Sequence, residues 1–297
     1  AGEDYIKEIA QKEIGAFFWH ERNSLRFIDE IETLEDHYGN HINLGLTYAV
    51  RDGIICHCGE INENALKPRD EAIDLKAILK ANQYSPYTWE GCVVKISDKI
   101  AYLGRDIEDA ITMRILTMSE KKELFRITQQ FGGKKIREIN NTILIHNFII
   151  DLCRNSSPED GIKISSKNID LMNLVKDFNY KNIYLHRRLN IFKKYAELIV
   201  QSIYKTLSDC YSSDPQQTII NIKKNIDSYP ILSKTFYAWV LKYGLPEERD
   251  KPGNIFNNRF VYDLKKERDY KLAIIDFISG MTDNFAIKTF NETISFM

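Results

Sequence analysis

The segment 93–109 (VVKISDKIAYLGRDIED) carries acidic, basic and phenolic side chains at helical spacing. Residues three or four apart share one face of an α-helix, so Asp98, Tyr102, Arg105, Asp106 and Asp109 form a polar stripe. The opposite face is predicted to be apolar and to hold Val93, Ile96, Ile100, Leu103, Ile107 and Ile111. Two interpretations stay open: a surface helix with a solvated charged face, or a helix that lines a polar cleft.

In a cleft, the carboxylates of this stripe are suited to binding a metal ion or a sugar hydroxyl. Lys99, Tyr102 and Arg105 are suited to contacting phosphate oxygens. The helical spacing alone does not choose between the surface helix and the cleft.

A second candidate lies in the segment 17–24 (FFWHERNS). His20 follows an apolar cluster and precedes Glu21, a setting that suits a desolvated general acid. The alternative is a structural histidine whose ring is satisfied by hydrogen bonds.

Helical periodicity dominates the rest of the chain and predicts an all-α fold. The segment SPYT at 85–88 is a typical helix start, and a long apolar pattern follows it from Trp89 to about Leu116. A short β-branched run at 162–164 is the best candidate for a strand in a small hairpin. The other predicted helices span 3–14, 22–36, 46–57, 119–129, 134–153, 168–178, 181–209, 215–226, 230–243 and 267–290.

Composition excludes several classes of protein. The 297 residues include 41 Lys+Arg and 42 Asp+Glu, and a net charge of -1 argues against a surface built wholly for nucleic acid or anionic lipid. No apolar run approaches the roughly 20 residues of a membrane helix. The five cysteines contain no paired CxxC motifs, which argues against a zinc ribbon and favours a reduced, cytoplasmic setting.

Five segments in order resemble the deoxynucleoside triphosphate triphosphohydrolases of the HD-domain superfamily, which include the bacterial dGTPases. AGE at the start is similar to the end of that family's GHxPFGHAGE segment, and WHE…SLR at 19–26 is similar to its histidine-containing segment. The other three matching segments are 44–60 (LGLTYAVRDGIICHCGE), 93–109, and 274–286 (IIDFISGMTDNFA).

The resemblance implies a role for individual residues. Asp98 matches the last aspartate of the HD metal site, and His20 matches a catalytic histidine that Glu21 orients. Lys99 and Tyr102 match residues beside the triphosphate and sugar, and Asp106 matches the aspartate that binds the sugar 3′-hydroxyl. Looser matches are Arg105, Arg187, Arg188 and the turn 280–283, while His57 matches a position with a packing role.

The resemblance also implies a divalent metal such as Mg or Mn, held by a His and a His-Asp pair that precede the matching segments. No histidine of this chain is followed by Asp, so we expect the chain to be the C-terminal part of a longer enzyme, inactive and poorly able to bind metal by itself. We predict that 1–117 is the C-terminal half of the HD catalytic core, so that the core is only partly present. Residues 118–297 would be a helical extension packed with it.

The resemblance implies two kinds of partner: a deoxynucleoside triphosphate, and further copies of the chain in a homo-oligomer. We expect no membrane association. Two alternatives stay open: a non-catalytic nucleotide-binding regulatory module, and, less favoured, a nucleic-acid-binding protein. The latter rests on basic clusters at 121–122, 134–137, 186–188 and 193–194. Aromatic residues at 236–243 are expected to serve the core rather than an interface between subunits.

Overall fold

A computed structural model describes residues 2–59, 65–132, 141–249, 251 and 253–295, and these residues confirm the all-α class. The predicted basic cluster at 134–137 and the start of the predicted helix 134–153 lie outside them. The helices are α1 (Gly2–Ile14), α2 (His20–Arg26), α3 (Tyr48–Cys56), α4 (Trp89–Thr112), α5 (Met118–Gly132), α6 (Asn141–Asn155), α7 (Ser166–Asn179), α8 (Arg187–Ser208), α9 (Pro215–Lys224), α10 (Pro230–Gly244), α11 (Pro246–Arg249), α12 (Glu267–Ser279) and α13 (Asp283–Ile294).

Three shorter helical segments supplement these. A π-helical turn, Phe27–Ile31, continues α2, a second one, Tyr180–Tyr184, follows α7, and Leu75–Ala77 is a 3₁₀ turn. Each π turn inserts an extra residue and so changes the direction of the side chains that follow.

Two small antiparallel sheets accompany the helices. Strand β1 (Thr33–Glu35) pairs with β2 (His41–Asn43), with Thr33 opposite Asn43. The predicted helix 22–36 is therefore wrong beyond residue 31, because the chain leaves the π turn in an extended conformation. Strand β4 (Ile162–Lys163) does pair, but with β3 (Ala65–Leu66), about a hundred residues earlier in the chain.

Side-chain caps fix several helix ends. The Thr88 side chain accepts a hydrogen bond from the Gly91 amide and starts α4, as the sequence predicts. The predicted single helix 267–290 is wrong, because it ends at Ser279 and α13 restarts after the Thr282 cap. Glu292 of α13 accepts hydrogen bonds from the first amides of α10.

The first of two compact units comprises Ala1–Leu46 and Phe192–Met297. Its core is rich in aromatic residues, and α1 packs on α12 while α10 packs on α9, α12 and α13. Phe236 and Tyr243 are buried, while Tyr237 and Trp239 pack at the edge of the core. The expectation that these aromatics serve the core is confirmed.

The second unit comprises Thr47–Ile191 and is built around α4, which packs against α3, α6 and α7. Gly53 of α3 and Gly91 of α4 lie in van der Waals contact, and a Cβ on Gly91 would lie only 2.8 Å from the Cβ of Pro86, so this position requires glycine. The predicted boundary at 117, which concerns the limits of the catalytic core, stays a prediction. No helix within the described ranges is long and apolar enough to cross a membrane.

Candidate functional site

Helix α4 presents the predicted polar stripe. Asp98 and Arg105 are exposed, and Tyr102 and Asp106 are half-buried. Arg105 forms surface ion pairs with Asp109 at 3.2 Å and with a second acid at 3.9 Å, so its charge is partly balanced within the same helix. The apolar face is as predicted except at its first residue, Val93, which is exposed.

Asp106 is the most constrained residue of this stripe. Its carboxylate accepts a short hydrogen bond from the hydroxyl of Tyr184, which the second π turn positions. Burial raises the pKa of Asp106, although the hydrogen bond from Tyr184 acts in the opposite direction. Burial and the neighbouring carboxylate also raise the pKa of Tyr184, which therefore keeps its proton and acts as a donor. The pair can accept and donate hydrogen bonds to a hydroxyl-bearing ligand.

Two lysines of α4, Lys95 and Lys99, are buried rather than solvated. The Lys95 ammonium donates to the carbonyl oxygens of Cys56 (3.2 Å) and Cys58 (2.8 Å), at the C-terminal end of α3, and to Asn82 Oδ1 (2.7 Å). Burial lowers the pKa of Lys95, and the charge of Lys99 adds to this effect. Two buried cations one turn apart create a positive potential along α4 that favours an anionic ligand.

The sequence analysis assigned Lys99 to phosphate contact but missed Lys95. The signal was present, because Lys95 and Lys99 are four residues apart and each precedes a buried isoleucine of the apolar face. Tyr184 was missed because its contact with Asp106 spans 78 residues, and no local pattern announces such a pairing.

In the first unit, His20 lies between two carboxylates at the start of α2. Its Nδ1 lies 3.0 Å from Glu3 Oε1, and its Nε2 lies 2.8 Å from Glu21 Oε1. Burial alone would raise the pKa of Glu3, but hydrogen bonds from Lys7 and His20 lower it. The two carboxylates thus hold the His20 ring from both of its nitrogens.

Glu21 is fully buried, whereas half of the His20 side chain is exposed. No hydrogen bond of standard geometry reaches the Glu21 carboxylate from the residues that the structure describes, so its close partner there is the His20 ring. A buried carboxylate requires a neighbouring positive charge. The structure thus brings His20 and Glu21 together, as expected for a histidine that an acid orients.

The matching segments 19–26 and 274–286 meet in the same unit. Arg26, at the end of α2, donates from Nη1 to both carboxylate oxygens of the buried Asp276, at 2.6 and 2.5 Å. Tyr262 donates to the same carboxylate at 2.7 Å. Burial alone would lower the pKa of Arg26, but the charge and hydrogen bonds of Asp276 raise it. This cluster fixes the helix on which His20 lies, so both segments have a structural role.

The weaker candidates are placed separately. Arg187 is exposed, and Arg188 donates to the carbonyl oxygen of Met113 at 2.6 Å. Gly280 caps α12, and a Cβ there would approach the Phe27 ring. His57 follows α3 and its Nδ1 lies 2.7 Å from the Ile54 carbonyl oxygen, which agrees with a packing role.

Asp98 is the residue of the second unit that the resemblance assigns to a divalent metal. Asp98 is exposed and its carboxylate is a suitable oxygen ligand. Across the described ranges, however, Asp98 belongs to no group of three His, Cys, Asp or Glu side chains with neighbouring ligand atoms. The described residues around Asp98 therefore do not by themselves fit a metal site.

Known proteins of similar sequence bear on this resemblance. No family model matches the chain. Proteins named deoxyguanosinetriphosphate triphosphohydrolase-like are similar to it: 24% identity over 287 residues for the one from Caldanaerobacter subterraneus subsp. tengcongensis, and 29% over 302 residues for that of Pelagibacter ubique. These alignments cover 96% and 97% of the chain. A relative from Desulfatibacillum aliphaticivorans is 31% identical over 186 residues, 62% of the chain.

The fold and the side chains therefore define an all-α protein with a polar helix and an acid-flanked histidine. The chain is similar over most of its length to proteins named deoxyguanosinetriphosphate triphosphohydrolase-like, and this similarity agrees with its resemblance to the HD-domain family. It spans 61% of the length of the Caldanaerobacter protein, 71% of the Pelagibacter protein and 44% of the Desulfatibacillum protein.

Proposed function

We propose that the whole protein hydrolyses deoxynucleoside triphosphates, dGTP or dNTPs in general, to a deoxynucleoside and tripolyphosphate, with a divalent metal to which Asp98 contributes one ligand. The observation that carries the proposal is the His20–Glu21 contact of 2.8 Å. It holds a histidine at the position where the resemblance requires a catalytic one.

The reaction needs a proton at a defined atom. Water attacks the α-phosphorus, the bond from that phosphorus to the sugar O5′ breaks, and the water oxygen stays on the tripolyphosphate. The departing O5′ must take up a proton, and His20 is half exposed and so accessible to a substrate. We assign His20 as the general acid and the buried Glu21 as the residue that holds the ring in place.

The substrate would lie along α4. The Asp106–Tyr184 pair offers an acceptor and a donor for the sugar 3′-hydroxyl, and Tyr102 would pack beside the sugar. Lys99 would contact the triphosphate. Arg105 would exchange its surface ion pairs for phosphate contacts, at small cost because exposed ion pairs contribute only about 0–1 kcal/mol.

We further propose that the 297-residue chain is inactive by itself, because Asp98 is a single metal ligand among the residues described. We also propose that the whole protein is cytoplasmic and forms homo-oligomers. Both properties stay predictions.

The experiment is a product assay with dGTP and Mn²⁺ or Mg²⁺, on the 297-residue chain and on the product of any coding sequence that continues upstream of Ala1. We expect tripolyphosphate release from the longer protein only, and a decrease of about 10²–10⁴-fold in kcat for His20→Ala. The control is His37→Ala, at an exposed histidine of the same unit, which should retain activity. Equal losses in the two variants, or rapid release by the 297-residue chain, would contradict the proposal.

The second candidate function is a regulatory module that binds dNTPs without hydrolysing them. It is supported by the same lack, among the residues that the structure describes, of further metal ligands close to Asp98. A dNTP-induced rise in melting temperature of the longer protein without turnover would favour it. A third candidate, nucleic-acid binding, rests on the exposed basic residues Arg187, Lys193 and Lys194 of α8, and salt-dependent binding of single-stranded DNA would support it.

A further inference from the structure

The first unit contains a cleft of about 530 Å³ that is lined by none of the catalytic, substrate-binding or metal-binding residues proposed above, although Gly280 of the loosely matched turn 280–283 lies at its wall. This volume lies within the usual range of small-molecule sites, about 300–1,000 Å³. Its lining combines aromatic rings, one lysine and two glutamates.

The walls of the cleft are aromatic. Trp239 and Tyr243 of α10 lie one turn apart with ring centres separated by 4.6 Å, and Phe27 of the first π turn lines the cleft as well. The Tyr243 hydroxyl donates to the Ile31 carbonyl oxygen at 2.8 Å, which fixes this ring. Rigid aromatic walls favour a planar ligand that stacks against them.

The polar groups are arranged around Lys242. Its ammonium donates to Thr33 Oγ1 at 2.7 Å and lies 5.3 Å from the centre of the Tyr243 ring. Burial lowers the pKa of Lys242, while the carboxylates of Glu32 and Glu35 act in the opposite direction. The site therefore places a positive donor beside two exposed carboxylate acceptors that also line it.

The net charge of the cleft lining restricts the class of ligand further. One lysine and two glutamates together give the lining a net formal charge of −1. A negatively charged cleft repels a triphosphate. A neutral heterocycle with a carbonyl oxygen beside a ring N–H can instead accept from Lys242 and donate to a glutamate at the same edge.

We propose that this cleft binds an uncharged planar heterocycle that carries such a carbonyl and N–H edge, as a free nucleoside with a 6-oxopurine does, and that it excludes the corresponding triphosphate. Phe27 and Trp239 would stack on the ring, with the buried Tyr243 supporting Trp239 from behind. Lys242 would donate to the carbonyl oxygen, and Glu32 or Glu35 would accept from the ring N–H. The inference does not rest on the proposed hydrolysis, because it concerns binding alone.

The test is isothermal titration calorimetry of the full 297-residue chain with deoxyguanosine, deoxyadenosine and dGTP, without added metal. Deoxyadenosine presents an amino group and an unprotonated ring nitrogen at the corresponding edge, so it keeps the stacking but loses the pairing. We expect deoxyguanosine to bind at least tenfold more tightly than deoxyadenosine. dGTP should not compete with it.

The variants separate this account from general damage. Lys242→Met should weaken deoxyguanosine binding at least tenfold, while Lys234→Met, at an exposed lysine of the same helix, should leave it unchanged. Glu32→Gln with Glu35→Gln should weaken deoxyguanosine binding but strengthen that of dGTP, opposite changes that loss of folding cannot produce. The proposal fails if deoxyguanosine does not bind to the folded chain, if dGTP displaces it, or if the two lysine variants behave alike.

Discussion

Each unit of the molecule contains a buried aspartate that an arginine holds, and the two arrangements differ in what they connect. In the first unit, Asp276 receives two hydrogen bonds from Arg26 and one from Tyr262. In the second, Asp52 accepts from Arg69 and from the backbone amide of Tyr87 at 2.6 Å. Both aspartates are about 1% exposed.

The sequence separation of the partners distinguishes the two clusters. Arg26 and Asp276 are 250 residues apart and join the two chain segments that make up the first unit. Arg69 and Asp52 are 17 residues apart, and Arg69 also donates to Tyr48 Oη and to the Ser85 carbonyl oxygen at 2.7 Å each. The first cluster thus closes the unit, whereas the second orders the connection between α3 and α4.

A similar set of residues therefore has different consequences in the two units. Among the residues that the structure describes, Arg26 has Asp276 as its buried acidic partner and donates otherwise to the half-buried Glu30. Arg69 retains two oxygen partners if its aspartate is lost. We therefore expect the first cluster to be the more sensitive one, although it lies far in sequence from the polar stripe of α4.

The largest effect is expected for Asp276→Ala. This variant leaves the Arg26 charge in a largely buried position without its carboxylate, and breaking a buried ion pair costs about 3–5 kcal/mol. Urea denaturation should show this decrease in the free energy of unfolding, and hydrogen exchange should accelerate in α2 and α12. The control Asp227→Ala, at an exposed position of the same unit, should change stability little. Equal losses of stability in Asp276→Ala and Asp227→Ala would contradict the claim that the buried ion pair stabilises the first unit.

A smaller effect is expected for Asp52→Ala. The Tyr87 amide loses its acceptor, but Arg69 keeps Tyr48 and Ser85, so the cost should be about 1–3 kcal/mol. Faster hydrogen exchange should be confined to α3 and residues 69–88. A loss of stability greater than that of Asp276→Ala would show that sequence separation does not rank the two clusters.

Tyr262→Phe separates the contributions of Tyr262 and Arg26 to the first cluster. It removes one of three hydrogen bonds to Asp276 and keeps both from Arg26. The expected loss is about 1 kcal/mol, measured by urea denaturation. A loss as large as that of Asp276→Ala would mean that Tyr262, and not Arg26, is the main partner of the carboxylate.

The smallest effect concerns the ion pair between Glu3 and His20, at the N-terminal end of α2. The pKa of Glu3 is lowered in the folded chain from its ordinary 4.5, so its contribution is complete above that pH and is lost as the pH falls through the lower folded value. The difference in melting temperature between the wild type and Glu3→Gln should therefore shrink below pH 4.5. A difference that is constant from pH 7 to pH 3 would contradict the assignment.

Local patterns predicted much of this structure. The Thr88 cap and the apolar spacing located α4, and proline and glycine placed most of the loops. Leu25, Ile28, Ile31 and Leu34 are spaced as in a helix, yet Leu34 lies in a strand, because the π turn changes the register and Asn43 pairs with Thr33. Such a change of register depends on tertiary contacts that periodicity does not contain.

The candidate site was predictable to a different extent. Single positions such as His20, Asp98 and Asp106 came from matching segments, but the contacts of His20 with Glu3 and of Asp106 with Tyr184 were not predicted. Burial of Lys95 depends on the end of α3 lying against α4, and the cleft around Lys242 is formed by side chains from four separate stretches of sequence. Contacts over such separations leave no local signal.

The most direct test of the proposed function is hydrolysis of dGTP in ¹⁸O-labelled water by the protein with any upstream coding sequence included. Cleavage between the α-phosphorus and O5′ should place one ¹⁸O atom in tripolyphosphate and none in deoxyguanosine, as mass spectrometry would show. Release of phosphate or pyrophosphate, or label in the deoxyguanosine, would contradict the account.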